Sequence, residues 1–362
     1  MQKNTSLSLP LILLAMLALL TGLWAGLLRL GWQLGGNSAS LALEHGPLMV
    51  SGFLGSLIIL ERVVALNRRW MFLAPLLSGL GWVALLLLPG VSIGAFLIAA
   101  GSLLAVFILG VMFRREPTLH TLTMLIGVLC WLVGNLLWLV GQPVFQVVFW
   151  WMGFLVLTIA GERLELSRVL RPTTRTRVLF SLAGGLFLLG IMLSAWQAAI
   201  GARMVGAGLA ALCLWLVRYD IARRNLRHPM PLTRYIATCL FIGTLWLGVS
   251  GLLSLWFGFT AAGPAYDAVL HSLFIGFVIS MIFGHAPIIL PALVNISLPF
   301  HPAFYLNLIL LHASLILRVG ADLAGWAEGR QWGGLLNEVA ILSFLVMTAL
   351  SIQREKRKSL RR

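Results

Sequence analysis

The fold class that this sequence predicts is an all-α integral membrane protein of about twelve transmembrane helices. The chain has 362 residues, of which 60% are hydrophobic and 10% charged, whereas soluble domains are seldom more than about half apolar. Its apolar residues form long unbroken runs and do not alternate with polar ones, which excludes a β-barrel. The spans are therefore helices, and the lipid bilayer is their first partner.

Twelve apolar stretches are separate enough to be read as individual spans. A span needs about 20 apolar residues, and proline, glycine or basic residues fall between most of these stretches. No stretch indicates a soluble domain, so residues 1–362 form a single transmembrane domain. The predicted helices are 8–30, 44–66, 71–89, 91–113, 119–141, 143–162, 178–197, 199–218, 233–257, 265–290, 303–325 and 332–352.

The basic residues support the same topology, because they alternate from one connection to the next. Only Arg29, Arg203, Arg318 and Arg330 fall on one side, so 22 of the 26 basic residues lie on the other, together with both termini. The positive-inside rule makes that side cytoplasmic and predicts a multi-pass protein of the inner membrane. It also explains the net charge of +15 without a nucleic-acid partner.

A short motif recurs in the second, sixth and tenth predicted helices. A Gly-Phe pair is followed, nine residues after its glycine, by Glu-Arg in the first two helices and by a histidine in the third. This spacing predicts three four-helix units, 1–115, 116–220 and 221–362, although a chain rich in Gly, Phe and Leu could also produce it by coincidence. The copies are Gly52-Phe53-Leu54 with Glu61-Arg62, Gly153-Phe154-Leu155 with Glu162-Arg163, and Gly276-Phe277-Val278 with His285.

Ionisable residues within spans are candidates for function, because each costs several kcal/mol unless it is paired or hydrated. His45 and His271 lie towards the same predicted surface, and two imidazoles from facing helices could ligate a haem iron on both sides. Arg318 is a candidate partner for a haem propionate. The alternatives are histidines hydrogen-bonded to neighbouring helices, and an ion pair between Arg318 and Asp322 one turn on.

A second group of candidates lies towards the cytoplasmic surface. His285 follows His271 by 14 residues, which returns to nearly the same helix face about 21 Å deeper. With Glu61 and Glu162 it could bind a metal ion or protons. Alternatively, Glu-Arg pairs anchor the helices at the interface and His285 caps its helix.

Two further residues complete the candidates. His312 lies near the middle of the eleventh predicted helix, where it could ligate a metal, transfer protons or form an interhelical hydrogen bond. Arg62 and Arg163 belong to the two Glu-Arg pairs and could take part in ion pairs or proton transfer at the same level.

Two segments resemble known haem proteins. The segment His45-Gly46-Pro47-Leu48-Met49 resembles the haem-ligand segment in helix 2 of haem–copper oxidase subunit I. Residues 271–276, continuing to Gly284-His285, resemble helix 10 of that subunit and of the NnrS family, and Met49 to Phe53 match the Met-x-x-Gly-Phe of NnrS-like chains. The resemblance implies twelve spans, haem binding, and either electron transfer with a redox partner protein or a role in nitric oxide or copper stress, with copper as a second cofactor.

The chain also departs from the oxidases. Oxidase helix 10 carries two histidines separated by one residue, but position 269 here is Val269. Residues 145–197 contain no histidine, so the copper ligands expected on helices 6 and 7 are absent and an oxygen-reducing binuclear centre is excluded. Two other functions stay open: a secondary transporter with twelve helices, and a membrane subunit that only anchors a redox partner.

Overall fold

The computed structural model describes residues 5–35, 38–88, 92–294 and 299–359. Within these ranges the chain contains no strand and twelve helices that are long and apolar enough to span a membrane, which confirms the predicted fold class. The helices are α1 (Thr5–Arg29), α2 (His45–Leu66), α3 (Leu73–Leu87), α4 (Ile93–Arg115), α5 (Leu119–Leu139), α6 (Val144–Leu166), α7 (Thr174–Ser194), α8 (Ala198–Tyr219), α9 (Pro231–Phe257), α10 (Pro264–Leu290), α11 (Phe304–Ala324) and α12 (Ala327–Ser359).

Several helices extend beyond the apolar stretch that predicted them. Helix α12 begins at Ala327, five residues before the predicted start at 332. The prediction was late because the first turn of the helix is polar and lacks a hydropathy signal. Helix α7 begins at Thr174, four residues before the predicted start, because the Thr173 hydroxyl accepts the Thr176 N–H and caps the helix. The predicted basic residues Lys3, Arg361 and Arg362 lie outside the described residues, and the orientation of the chain stays a prediction.

The chain packs as two compact units, Met1–Gly161 and Glu162–Ala292 with Ile296–Arg362. In the first unit α1 packs against α2, α2 against α3, and α3 against α4, which in turn packs against α5. In the second unit each helix from α7 to α12 packs against the next one in the chain. Neighbours in sequence are thus neighbours in space, as short connections require. The three four-helix units and the single domain stay predictions.

Helices α2 and α10 share an irregularity. Each contains an eight-residue π-helical segment, Leu48–Gly55 in α2 and Ser272–Ile279 in α10. Both segments begin four residues before the glycine of the recurring motif, Gly52 or Gly276, and end three residues after it. Since π-helix accounts for well under about 1% of residues in proteins, a shared register favours the equivalence of α2 and α10.

The motif glycines allow a neighbouring helix to approach the π segments closely. A Cβ at Gly276 would lie 2.4 Å from Trp246 Cγ of α9, and one at Gly52 would lie 3.1 Å from Ala18 Cβ of α1. In each unit the π segment therefore packs against the helix that precedes it in the chain. The sixth helix carries the motif glycine too, but α6 is α-helical over Val144–Leu166.

Candidate functional site

A group of ionisable side chains lies between α10, α11 and α12, and we call it the charged cluster. Its centre is a bidentate ion pair between α11 and α10, in which Arg318 Nε donates to Asp267 Oδ2 at 2.7 Å and Arg318 Nη2 donates to Asp267 Oδ1 at 2.8 Å. Two parallel charge-assisted bonds are among the strongest side-chain contacts in proteins. The members of the cluster are Asp267, His271, Arg318, Asp322, Arg330 and Glu338.

His271 joins the cluster one turn after Asp267 on α10. Its Nε2 lies 3.3 Å from Arg318 Nη2, and its Nδ1 lies 3.1 Å from Asp267 Oδ1 and 3.0 Å from the Asp267 carbonyl oxygen. A guanidinium can only donate, so Nε2 accepts from Arg318. The neutral tautomer with its proton on Nδ1 then donates to Asp267, and both ring nitrogens have partners inside the cluster.

The other half of the cluster comes from α11 and α12. Asp322, one turn after Arg318, lies 3.8 Å from Arg330 Nη1, and its side chain has 0% exposure. Neither Asp322 oxygen has a hydrogen-bond partner within the described residues, and the group interacts electrostatically with Asp267. Half-buried Glu338 of α12 interacts in the same way with Arg318. Three carboxylates thus face two guanidinium groups, which leaves one negative charge in excess.

Close packing of α12 on α11 positions this part of the cluster. A Cβ at Gly333 would lie 2.7 Å from the Cα of Arg318, so the absence of a side chain at that position lets the two helix backbones meet beside the guanidinium. Small residues at helix interfaces have this role in membrane proteins. The glycine therefore brings Glu338, one turn and a residue further along α12, within electrostatic reach of Arg318.

Arg318 forms an ion pair, but its partner is Asp267 and not the predicted Asp322. Arg318 donates to Asp267 and not to Asp322, although it also acts electrostatically on Asp322. Asp267, Arg330 and Glu338 were not among the predicted site residues. For Asp267 a signal was present, because a carboxylate four residues before His271 shares its helix face.

His312 of α11 forms interhelical hydrogen bonds. Trp246 Nε1 of α9 donates to His312 Nδ1 at 3.0 Å, and Ser280 Oγ of α10 lies 3.4 Å from His312 Nε2. Because Ser280 Oγ donates to the Cys239 carbonyl at 2.8 Å, its oxygen is left to accept from His312. The imidazole thus links three helices, which is the hydrogen-bonded alternative considered for this residue.

Two other predicted histidines bond to backbone carbonyls. His45 Nδ1 lies 2.7 Å from the Gly22 oxygen of α1, in the first unit. His285 Nδ1 lies 2.8 Å from the Met281 oxygen one turn back in α10. A backbone carbonyl can only accept, so in both side chains Nδ1 carries the proton. His285 lies inside α10 and not at its end, so it is not a helix cap.

Arg163, the arginine of the second Glu-Arg pair, is buried and forms an ion pair within the protein. This side chain is 2% exposed, and it forms a bidentate ion pair with Asp220, with Nε to Oδ2 at 2.7 Å and Nη2 to Oδ1 at 2.6 Å. Glu61, Arg62 and Glu162 are half-buried near the ends of α2 and α6. The partner Asp220 lies just after α8 and is itself buried, so Arg163 takes part in an ion pair, and the role of the Glu-Arg pairs as interfacial anchors stays a prediction.

The predicted metal site has no support in the described part of the chain. Over those residues, no group of three or more His, Cys, Asp or Glu side chains could hold a metal ion. Zinc sites in proteins take three or four such ligands. Haem differs, since one or two imidazoles are enough for its iron.

No curated protein and no solved structure matches the chain. One family model does match, over residues 8–353, and its description is a domain of unknown function, DUF8744. The matched range begins in α1 and ends in α12, so it includes every span and the whole charged cluster. The chain therefore belongs to the DUF8744 family.

Proposed function

We propose that this protein is a proton-coupled secondary transporter whose proton-binding site is the charged cluster. The observation that carries the proposal is three carboxylates facing two guanidinium groups towards one end of α10, α11 and α12, with His271 accepting a hydrogen bond from Arg318. One bound proton makes such a cluster electrically neutral, and charges within spans otherwise cost several kcal/mol. Ionisable groups within membrane spans often mark proton and ion pathways in pumps and transporters.

Asp322 is the proposed acceptor of that proton. A proton on Asp267 would replace a charge-assisted bond from Arg318, whereas neither Asp322 oxygen has a hydrogen bond to lose within the described residues. Asp322 lies one turn after Arg318 on the same helix, so neutralising it strengthens the hold of Arg318 on Asp267. The release of the proton would have the opposite effect, which couples the charge of α11 to its contact with α10.

The second unit provides further groups along the same helices. Ser280 and His285 follow His271 by nine and 14 residues, or about 14 and 21 Å along α10 at 1.5 Å per residue. His312 lies beside Ser280. Chains of carboxylates and imidazoles at successive depths are typical of proton relays in transporters. The π segment Ser272–Ile279 lies between His271 on one side and Ser280 and His285 on the other, and π segments are frequent at functional sites.

The architecture is consistent with transport. Several transporter families are built from repeats that run in the same direction and contain interrupted helices. Helix α10 is the eighth helix after α2, so the two cross a membrane in the same direction, and both are interrupted at the same register. Arg318 links α11 to α10, so a change in the charge of Asp322 on α11 would act on the interrupted helix α10.

The test is a measurement of charge displacement after a pH jump, made on proteoliposomes adsorbed to a solid-supported membrane. The wild-type protein should give a transient current that Asp322→Asn abolishes. Glu165→Gln is the matched control, because it also converts a carboxylate to an amide but lies in an exposed pair with Arg168. A wild-type response equal to that of protein-free liposomes, or an unchanged current in Asp322→Asn, contradicts the proposal.

A second candidate function, haem binding, is favoured by His45. Its Nδ1 donates to a backbone carbonyl, and histidines that ligate metals almost always hold their second nitrogen in this way. His45 thus shares the Nδ1–H bond that is typical of metal-ligating histidines, and a bound haem would supply redox chemistry. Arg318 stays a predicted propionate partner, and because Nε and Nη2 both donate to Asp267, Nη1 is the nitrogen that would bind the propionate.

The visible spectrum of protein purified from haem-replete membranes tests this candidate. A Soret band that is lost in His45→Ala and retained in His228→Ala supports haem ligation by His45, since His228 lies in a connection and bonds locally to Met230. The same measurement on His271→Ala tests the ligand predicted on α10. A colourless, folded wild-type protein contradicts haem binding.

A further inference from the structure

A cavity of about 1000 Å³ opens in the second unit where the connection after α6 meets the connection after α8. Five exposed arginines line it, more than any other residue type in the lining. They come from two separate stretches of chain, 171 and 218–227, so the fold and not the sequence alone brings them together. The five are Arg171, Arg218, Arg223, Arg224 and Arg227.

The positive charge of the cavity is not compensated from within its lining. Asp220 is the one carboxylate among the lining residues, and it already accepts two bonds from Arg163 at 2.7 and 2.6 Å. Asp220 also accepts the backbone N–H of Ala222 at 2.8 Å, which fixes the start of the turn that carries Arg223 and Arg224. The buried ion pair thus neutralises Asp220 and positions two of the cavity arginines.

Aromatic and hydroxyl groups form the rest of the wall. Trp215 Nε1 donates to the Thr176 carbonyl at 2.8 Å and ties α8 to the first turn of α7. Thr173 caps that turn and lines the cavity, so the N-terminus of α7 adds partial positive charge to the same space. The Arg218 guanidinium lies 5.2 Å from the centre of the Tyr219 ring, which keeps it at the wall.

We infer that this cavity binds the phosphate of an anionic phospholipid headgroup. Guanidinium groups match phosphate oxygens with paired hydrogen bonds, and basic pockets at the ends of transmembrane helices bind anionic lipids. The cavity lies at the ends of three spans, α6, α7 and α8, where headgroups are found. It is also on the side that the arrangement of basic residues predicts to be cytoplasmic, the leaflet richest in anionic lipid.

The residues around the cavity favour a lipid over a soluble anion. Leu166, Val169 and Val178 are exposed apolar side chains in the segments that lead to the cavity wall, and Val169 is 78% exposed. An acyl chain can cover such side chains, whereas inorganic phosphate or a nucleotide phosphate cannot. This inference does not depend on the proposed transport function, because it involves no residue of the charged cluster.

The experiment is native mass spectrometry of the full-length protein in detergent, titrated with phosphatidylglycerol and with phosphatidylcholine. The wild type should bind phosphatidylglycerol preferentially, and the triple variant Arg223→Ala/Arg224→Ala/Arg227→Ala should lose about 100-fold in affinity for it, at roughly fivefold per arginine. The control is Arg68→Ala/Arg69→Ala/Arg115→Ala, which removes the same charge from exposed arginines of the first unit. It should bind as the wild type does.

Three outcomes overturn the inference. The first is equal binding of the two lipids by the wild type, a result that does not depend on how any variant folds. The second is an equal loss of phosphatidylglycerol in both triple variants, which would mean that total charge and not the cavity determines binding. The third is displacement of bound phosphatidylglycerol by millimolar inorganic phosphate, which would identify the ligand as a soluble phosphate.

Discussion

Helices α2 and α10 have the same π segment in the same register, but their surroundings differ in charge. Around α2 the buried network is neutral: Ser51 Oγ donates to Asn135 Oδ1 at 3.2 Å, Trp151 Nε1 donates to the same oxygen at 3.0 Å, and Trp131 Nε1 donates to Ser51 Oγ at 3.0 Å. Around α10 the network is ionic and is centred on Arg318 and Asp267. One backbone irregularity thus occurs with two kinds of polar contact.

The difference indicates a division of roles between the two regions. A neutral network of amide, hydroxyl and indole groups does not titrate near neutral pH, so it holds α2 against α5 and α6 in one arrangement. An ionic network changes its charge when it binds a proton, so it can alter helix contacts. We therefore expect α10 to be the functional member of the pair and α2 the structural one.

The largest expected effect comes from breaking the ionic network. Arg318→Ala leaves the Asp267 carboxylate in a span without its partner, and removing one member of a buried ion pair costs about 3–5 kcal/mol of unfolding free energy. Reversible unfolding in mixed micelles with increasing sodium dodecyl sulfate measures this loss. Asp267→Asn combined with Arg318→Gln should recover part of it. A loss below about 1 kcal/mol would indicate a hydrated pair, as found on protein surfaces.

The corresponding change in the neutral network should be smaller and independent of pH. Asn135→Leu removes the acceptor of both Ser51 and Trp151. The Ser51 hydroxyl can rotate to another acceptor, so the cost is that of one unsatisfied indole N–H, about 1–3 kcal/mol. The same unfolding measurement at two pH values separates the networks. A pH-dependent loss in Asn135→Leu would contradict the contrast between the two regions.

The two motif glycines should differ in their tolerance of a methyl group. In Gly276→Ala the new Cβ would lie 2.4 Å from Trp246 Cγ, and overpacking of this kind costs about 1–3 kcal/mol. In Gly52→Ala the nearest atom is Ala18 Cβ at 3.1 Å, so we expect a smaller loss. Thermal unfolding followed by tryptophan fluorescence ranks the two variants. Equal losses of stability would mean that Trp246 of α9 moves aside for the new methyl group as readily as Ala18 of α1 does.

The smallest expected effect is at the start of α2. Burial raises the pKa of Glu44, which precedes the span, so folding favours its protonated form. Glu44 therefore contributes stability below its pKa in the unfolded chain, near 4.5. That stability is lost as the pH rises through the pKa of Glu44 in the folded protein. Glu44→Gln should then be more stable than the wild type at pH 7 and show no such gain at pH 4. A gain of the same size at both pH values would exclude a titration effect.

The positions of the spans could be predicted because transfer into a bilayer depends mainly on the composition of each segment. All twelve predicted helices are present, and the alternation of basic residues agreed with their number. The polar starts of α7 and α12 were not predictable in this way, because a capping bond and polar turns carry no hydropathy signal. The π segments could not be predicted from the sequence either, since an extra residue in a helical turn depends on how neighbouring helices pack.

The site shows the same limit more sharply. His271 and Arg318 could be selected from sequence, because ionisable residues are conspicuous in apolar spans. Their partners could not: Arg318 is paired with Asp267, 51 residues away, although Asp322 is only one turn along. Arg163 is similar, since its neighbour Glu162 points about 100° away around the helix while Asp220 approaches from the end of α8.

The sequence by itself determined that this protein crosses a membrane twelve times and which of its side chains carry charge into the bilayer. Only the tertiary structure decided which of those charges meet, which helix surrounds its π segment with ions, and that five arginines share one cavity. The physical reason is range: the transfer of a segment into lipid is a sum over its own residues, whereas a salt bridge depends on a few ångströms between residues far apart in the chain.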